Sequence, residues 1–78
     1  MRLLVRKLSR KTTEEDLLGL FEPLGSVQSC VIVNDDKTGQ SKGFGFVEMP
    51  KPGEAKAAVQ QLNGFLLDGE RIRVKRSK

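Results

Sequence analysis

A chain of 78 residues with 37% hydrophobic and 31% charged content has room for one small globular domain and holds no apolar run near the roughly 20 residues of a membrane helix. One cysteine, Cys30, excludes an internal disulfide; the lack of histidine excludes Ser-His and Cys-His nucleophilic chemistry and, with a lone thiol, the usual zinc ligand sets. Fourteen Lys+Arg against ten Asp+Glu leave a net charge of +4, which favours an anionic partner.

Leu3, Leu4, Val5 and Leu8, with Arg6 and Lys7 among them, read as a short first strand. Ser9 to Thr13 is a polar loop. Thr12 followed by Glu15 predicts a capping box, and the acids of that turn suit a helix N-terminus. Leu17, Leu20, Phe21 and Leu24 recur at helical spacing, and Pro23 and Gly25 end the helix. The β-branched run from Val27 to Val33 predicts a second strand, with Cys30 as a small buried hydrophobe alternating with Ile32. Residues 34–41 form a turn-rich loop, long for a hairpin. Phe44, Phe46 and Val47 mark a third strand closed by Pro50.

Pro52-Gly53 opens a second helix whose narrow face is Ala55, Ala58, Val59 and Leu62, with Asn63-Gly64 as its C-terminal cap. Asp68-Gly69 is a tight-turn signal between Phe65-Leu66-Leu67 and a last strand, in which Ile72 and Val74 alternate with Arg71, Arg73 and Lys75. The order β-α-β-β-α-β predicts an α+β fold of the ferredoxin-like kind, a single domain over 1–78. Four antiparallel strands form one sheet with both helices on one face. The other face is then open to solvent, and function is sought there.

Alternation assigns that face. Ile72 and Val74 turn to the core, so Arg71, Arg73 and Lys75 turn out. Leu3 and Val5 serve the core, so Leu4 and Arg6 turn out. If Val47 and Met49 are inward, Gly45 is too, and Lys42, Phe44, Phe46 and Glu48 share the open face. Flat rings on a solvated face offer stacking platforms for unpaired bases, and nearby Arg and Lys neutralise phosphates. The glycines flanking Phe44 are expected to keep its ring unshielded. Both ends of the chain are basic, while Glu14, Glu15, Asp16 and Glu22 make the first helix acidic; side by side, the two ends would form one basic patch. Arg71, Arg76 and Lys78 are less firmly part of it, since terminal residues fray.

Lys42-Gly43-Phe44-Gly45-Phe46-Val47-Glu48-Met49 resembles the octamer of the RNA recognition motif family, matching seven of eight positions. Leu3-Leu4-Val5-Arg6-Lys7-Leu8 resembles the family's hexamer on the first strand. The resemblance spans essentially the whole chain. It implies that Phe46 stacks on a base, Phe44 packs on sugars or a second base, and Lys42 meets a phosphate. Leu4 departs from the pattern, because the hexamer normally carries an aromatic there, and about 1–3 kcal/mol of stacking goes with it. Met49 replaces the octamer's last aromatic at a core-facing position.

Competing motifs fail on context. Gly39-Gln40-Ser41-Lys42-Gly43 matches the nucleophile-elbow pattern, but the residues around it read as a loop before and a strand after, and no histidine is present. Asp35 and Asp36 read as solvated turn residues rather than metal ligands. The expected function is therefore non-catalytic binding of single-stranded RNA through Phe44, Phe46, Lys42, Leu4, Arg6, Arg73 and Lys75, with single-stranded DNA a weaker ligand. No cofactor, metal or membrane is expected, and the chain is expected to act as a monomer. The alternative is a protein-interaction module using the same sheet, or the helix face near Leu17 and Leu20. The compact form resembles small single-domain proteins of bacterial type, and a fragment of a longer protein fits equally. The expected location is intracellular: cytoplasmic for a bacterial protein, nuclear or cytoplasmic for a eukaryotic fragment.

Overall fold

Period-two alternation organises the first strand as the sequence predicts. In β1 (Arg2–Arg6), Leu3 and Val5 are fully buried, Leu4 is half-buried, and Arg2 and Arg6 are exposed. The computed structural model describes residues 1–77; Lys78 lies outside the described residues.

Helix α1 (Glu14–Phe21) starts from a different cap than expected. The Thr13 hydroxyl accepts from the Asp16 N–H at 3.1 Å, and the Asp16 carboxylate accepts from the Thr13 N–H at 3.1 Å, so the capping box is Thr13–Asp16 and not Thr12–Glu15. Thr12 is unavailable because it is buried and its hydroxyl donates to the Asp68 carboxylate at 2.8 Å. Leu17 and Phe21 are fully buried and Leu20 is partly buried against the core, so Leu17 is spent on packing. A 3₁₀ turn (Glu22–Leu24) containing Pro23 closes the element.

Strands β2 (Ser29–Asn34) and β3 (Ser41–Glu48) follow. The turn between them is organised by Asp35, whose carboxylate accepts N–H bonds from Lys37 at 2.8 Å and Thr38 at 3.1 Å. Those bonds hold its carboxyl below the ordinary range. Cys30 is half-buried rather than buried, with its thiol toward the Glu14 carbonyl at 3.6 Å. Partial burial and the Glu14 charge push that thiol up to about 11.

Helix α2 (Pro52–Leu62) buries Ala55, Ala58 and Leu62, and the Asn63 side chain that ends it accepts the Val74 N–H at 3.1 Å. Strands β4 (Leu66–Leu67) and β5 (Glu70–Arg71) form a separate hairpin. Asp68 at φ 50° and Gly69 at φ 82° give its turn the two left-handed residues that a type I′ connection requires. Ile72 then leaves the ladder to enter the core, and the last sheet strand is β6 (Arg73–Ser77), not a strand begun at Arg71. Arg71 consequently lies off the main sheet, donating to the Gly64 carbonyl at 3.1 Å.

The four long strands make one antiparallel sheet in the order β2-β3-β1-β6. Leu3, Val5, Val47, Met49, Ile72 and Val74 meet Leu17, Phe21, Ala55, Ala58 and Leu62 in one core between the sheet and the helices. The fold is ferredoxin-like α+β, with the small hairpin added before the last strand. No helix among the described residues is long and apolar enough to cross a membrane.

Candidate nucleic-acid interface

The open face is built by register. β1 lies between β3 and β6, and Leu4 is paired with Phe46 on one side and Lys75 on the other. Two residues on, Arg6 is paired with Arg73. The paired basic ends of the chain expected from the sequence are therefore neighbours, although they stand about 70 residues apart along it. Phe44, Phe46 and Lys42 follow from β3. All seven residues predicted from the sequence reach this side of the sheet. The Phe44 and Phe46 rings are half-buried and meet edge to face, with centroids 6.2 Å apart and planes at 89°.

Two hydrophilic hollows flank the C-terminal end of β1. One, of about 340 Å³, is lined by Arg6, Lys7, Arg10, Lys42 and Phe44 among others. The second, of about 400 Å³, is lined by Arg6, Lys7, Asn63, Arg73, Val74 and Lys75. Among the described residues, no carboxylate lines either hollow. At the opposite end of β1, Arg2 is paired with Glu48, so charge of both signs is present there. The face is thus polarised, strongly basic where β1 ends and mixed where it begins.

The flanking glycines have a different task from the one expected. Gly45 alternates to the core side, away from the rings, and a Cβ there would strike the Val31 carbonyl oxygen and crowd the Ile32 Cα at 3.1 Å. It lets β2 and β3 approach. Gly43 lies beside the Leu8 carbonyl, 3.3 Å from where a Cβ would stand, and its own carbonyl accepts the Leu8 N–H at 2.8 Å. Close backbone packing accounts for Gly45, and a left-handed backbone at φ 85° accounts for Gly43; neither serves to expose the rings.

Three residues of this face were not among the seven predicted to bind, although Arg2 and Lys7 belong to the basic N-terminal end. The Arg2 guanidinium lies 4.2 Å from the Phe46 ring centroid, an attraction of about 0.5–1 kcal/mol at an exposed site. It covers part of one face of the ring. Its parity with Leu4 and Arg6 was the available signal. Val31, 47% exposed, is paired with Phe46 from the β2 side and widens the apolar platform; its parity opposite to Cys30 and Ile32 pointed there. Lys7 lines both basic hollows, and alternation hid it because it takes a positive φ.

Comparison with known proteins agrees with this geometry. A family model described as RNA recognition motif matches residues 3–73. The human protein named probable RNA-binding protein 23 is 45% identical over 74 residues, covering 95% of this chain and 17% of that protein. Across this and three further relatives, the chain spans 8% to 26% of their length. Among solved structures, that of RNA-binding protein PG1 superposes with a TM-score of 0.95 at 38% identity, covering 99% of this chain and 93% of that one. A Sex-lethal protein–RNA complex superposes with a TM-score of 0.94 at 31% identity, covering 99% of this chain and 46% of that one.

Proposed function

The chain belongs to the RNA recognition motif family, and on that premise we propose that it binds single-stranded RNA across the open face of its sheet. It is a binding module and not an enzyme, as are its family and its relatives. In this reading Phe46 stacks on one base, and Phe44 packs on a sugar or a second base. Lys42, Arg6, Arg73 and Lys75 neutralise phosphates or donate hydrogen bonds around them. Leu4 offers an aliphatic contact where an aromatic would have given a further stack. Arg2 must slide off the Phe46 ring when a base arrives, and its charge then becomes available to a phosphate.

One observation carries the reading. The core is complete without Phe44 and Phe46, yet both rings lie on the far side of the sheet beside cations. The Sex-lethal structure, a protein–RNA complex, has the same fold, which supports the assignment of ligand class. Single-stranded DNA lacks the 2′-hydroxyl and binds the same face more weakly in this proposal. The unit acts as a monomer in an intracellular compartment where RNA is found.

The test is an NMR titration of ¹⁵N-labelled protein with a mixed-sequence pool of short single-stranded RNAs at low salt. Shifts concentrated at 42–46, Arg6 and 73–75 are expected. A sheet that stays silent while the protein remains folded would overturn RNA binding and leave a protein ligand for this face.

A further inference from the structure

The basic end of the sheet extends beyond the residues that the stacking platform needs. Lys7 has φ 59°, in the left-handed region that side chains other than glycine seldom occupy. The cause is local. Arg6 is exposed as the last residue of β1, and Leu8 must be buried, with its N–H held by the Gly43 carbonyl at 2.8 Å. Strict alternation would send Lys7 inward. The left-handed turn instead leaves it exposed, lining both basic hollows at once. Glycine would make that turn without strain, so the cation stands there against the local preference. Backbone strain of this kind collects at functional sites.

Arg10 completes the arrangement. One guanidinium nitrogen donates to the Ser41 carbonyl at 3.3 Å, which anchors the side chain against the start of β3. The group lines the hollow it shares with Lys7, Lys42 and Phe44. Arg10 can hold one phosphate through two N–H groups while Lys7 neutralises the next as a point charge, so the pair fits successive phosphates of a nucleic-acid backbone.

We propose that Lys7 and Arg10 form a second anion subsite at the loop end of the sheet, which holds RNA backbone phosphates beyond the bases stacked on Phe44 and Phe46. The strand runs off Phe44 past Arg6 and Lys42 and over the β1–α1 connection. This rests on the RNA-binding reading above. It adds a length dependence, because an RNA that ends on the platform gains less from Lys7 and Arg10 than one that continues over the β1–α1 connection.

Fluorescence anisotropy with labelled mixed-sequence RNA pools of four and eight nucleotides tests it, together with chemical-shift mapping of the same pools. Wild type is expected to bind the longer pool more tightly, with shifts at Lys7 and Arg10 added to those on the sheet. Lys7→Gly relieves the strained backbone, so it raises Tm by a few degrees while weakening the longer pool about fivefold at 0.1 M salt. Its log Kd–log salt slope falls by about 0.7, the value for one single-strand phosphate contact. Arg10→Gln weakens the longer pool similarly, and both variants weaken the four-nucleotide pool by less than they weaken the longer one. Lys56→Ala, on the exposed side of α2, keeps wild-type binding of both pools. Shifts on the sheet with Lys7 and Arg10 silent, or a Lys7→Gly variant with the wild-type slope, would overturn the subsite and leave the platform standing. Absence of binding by wild type to either pool would overturn both.

Discussion

Replacing Phe46 with alanine separates a binding role from a packing role, because the half-buried ring lies on the open face and outside the core. It touches Phe44 edge to face at 6.2 Å and carries Arg2 at 4.2 Å. The first contact is worth about 0.5–1.5 kcal/mol and the second about 0.5–1 kcal/mol, so Phe46→Ala costs about 1–2.5 kcal/mol of stability. A domain of this size has roughly 4–12 kcal/mol to lose, from about 0.05–0.15 kcal/mol per residue. The variant therefore stays folded, with Tm lowered by about 4–20 °C. Phe21, fully buried, provides the contrast: Phe21→Ala costs about 3–5 kcal/mol and threatens the fold itself. For binding, loss of one stacked base is worth about 1–3 kcal/mol, or roughly 5- to 150-fold in Kd. The lower half of that range is expected, since wild type must first displace Arg2 from the ring. Urea melts and RNA anisotropy on the same preparation measure both quantities. A variant that unfolds would show that Phe46 belongs to the core and that the face assignment is wrong. A folded variant with wild-type affinity would remove stacking from the mechanism.

Leu4→Phe places a ring between Phe46 and Lys75, on the open face, and is expected to tighten RNA binding by about 1–3 kcal/mol without loss of stability; anisotropy and a thermal melt read both. Gly45→Ala drives a methyl group into the Val31 carbonyl and breaks the approach of β2 to β3. It is expected to lower stability by more than about 2 kcal/mol, beyond the usual range for an exposed strand, and hydrogen exchange at 29–34 would show the loss locally. The Cys30 thiol is held protonated up to about 11 in the fold, against 9.0 for the ordinary group. The unfolded chain thus loses its proton first, and stability falls as pH rises from about 9 to about 11. Denaturant melts across that window should show the decline, and Cys30→Ala should flatten it. At neutral pH the thiol reacts slowly with iodoacetamide in the folded protein and faster once it is unfolded.

Much of the fold and most of the candidate face were legible because a strand has period two. Once Ile72 and Val74 were placed inward, the exposure of Arg73 and Lys75 followed, and the same step put Phe44 and Phe46 on the open face and Met49 in the core. Asp68-Gly69 was readable for a similar reason, since the turn is decided by the φ angles of its own two residues. The capping box was misplaced by one residue because Thr12 and Thr13 are chemically equal candidates. What separates them is Asp68, 56 residues away, which takes the Thr12 hydroxyl. Lys7 was invisible to alternation, because the need to bury Leu8 breaks the period there.

What the sequence determined by itself is the set of directions: which side chains face the core, which face solvent, and where the chain must turn. These depend on local backbone geometry and on the transfer of apolar side chains out of water, both readable from neighbours along the chain. The tertiary structure alone decided adjacency. That Arg2 covers Phe46, that Val31 borders it, and that Arg6, Lys7, Arg73 and Lys75 gather at one end follow from strand order and register. Register is set when strands far apart in sequence satisfy one ladder of hydrogen bonds and one core together, and no local pattern encodes that joint solution.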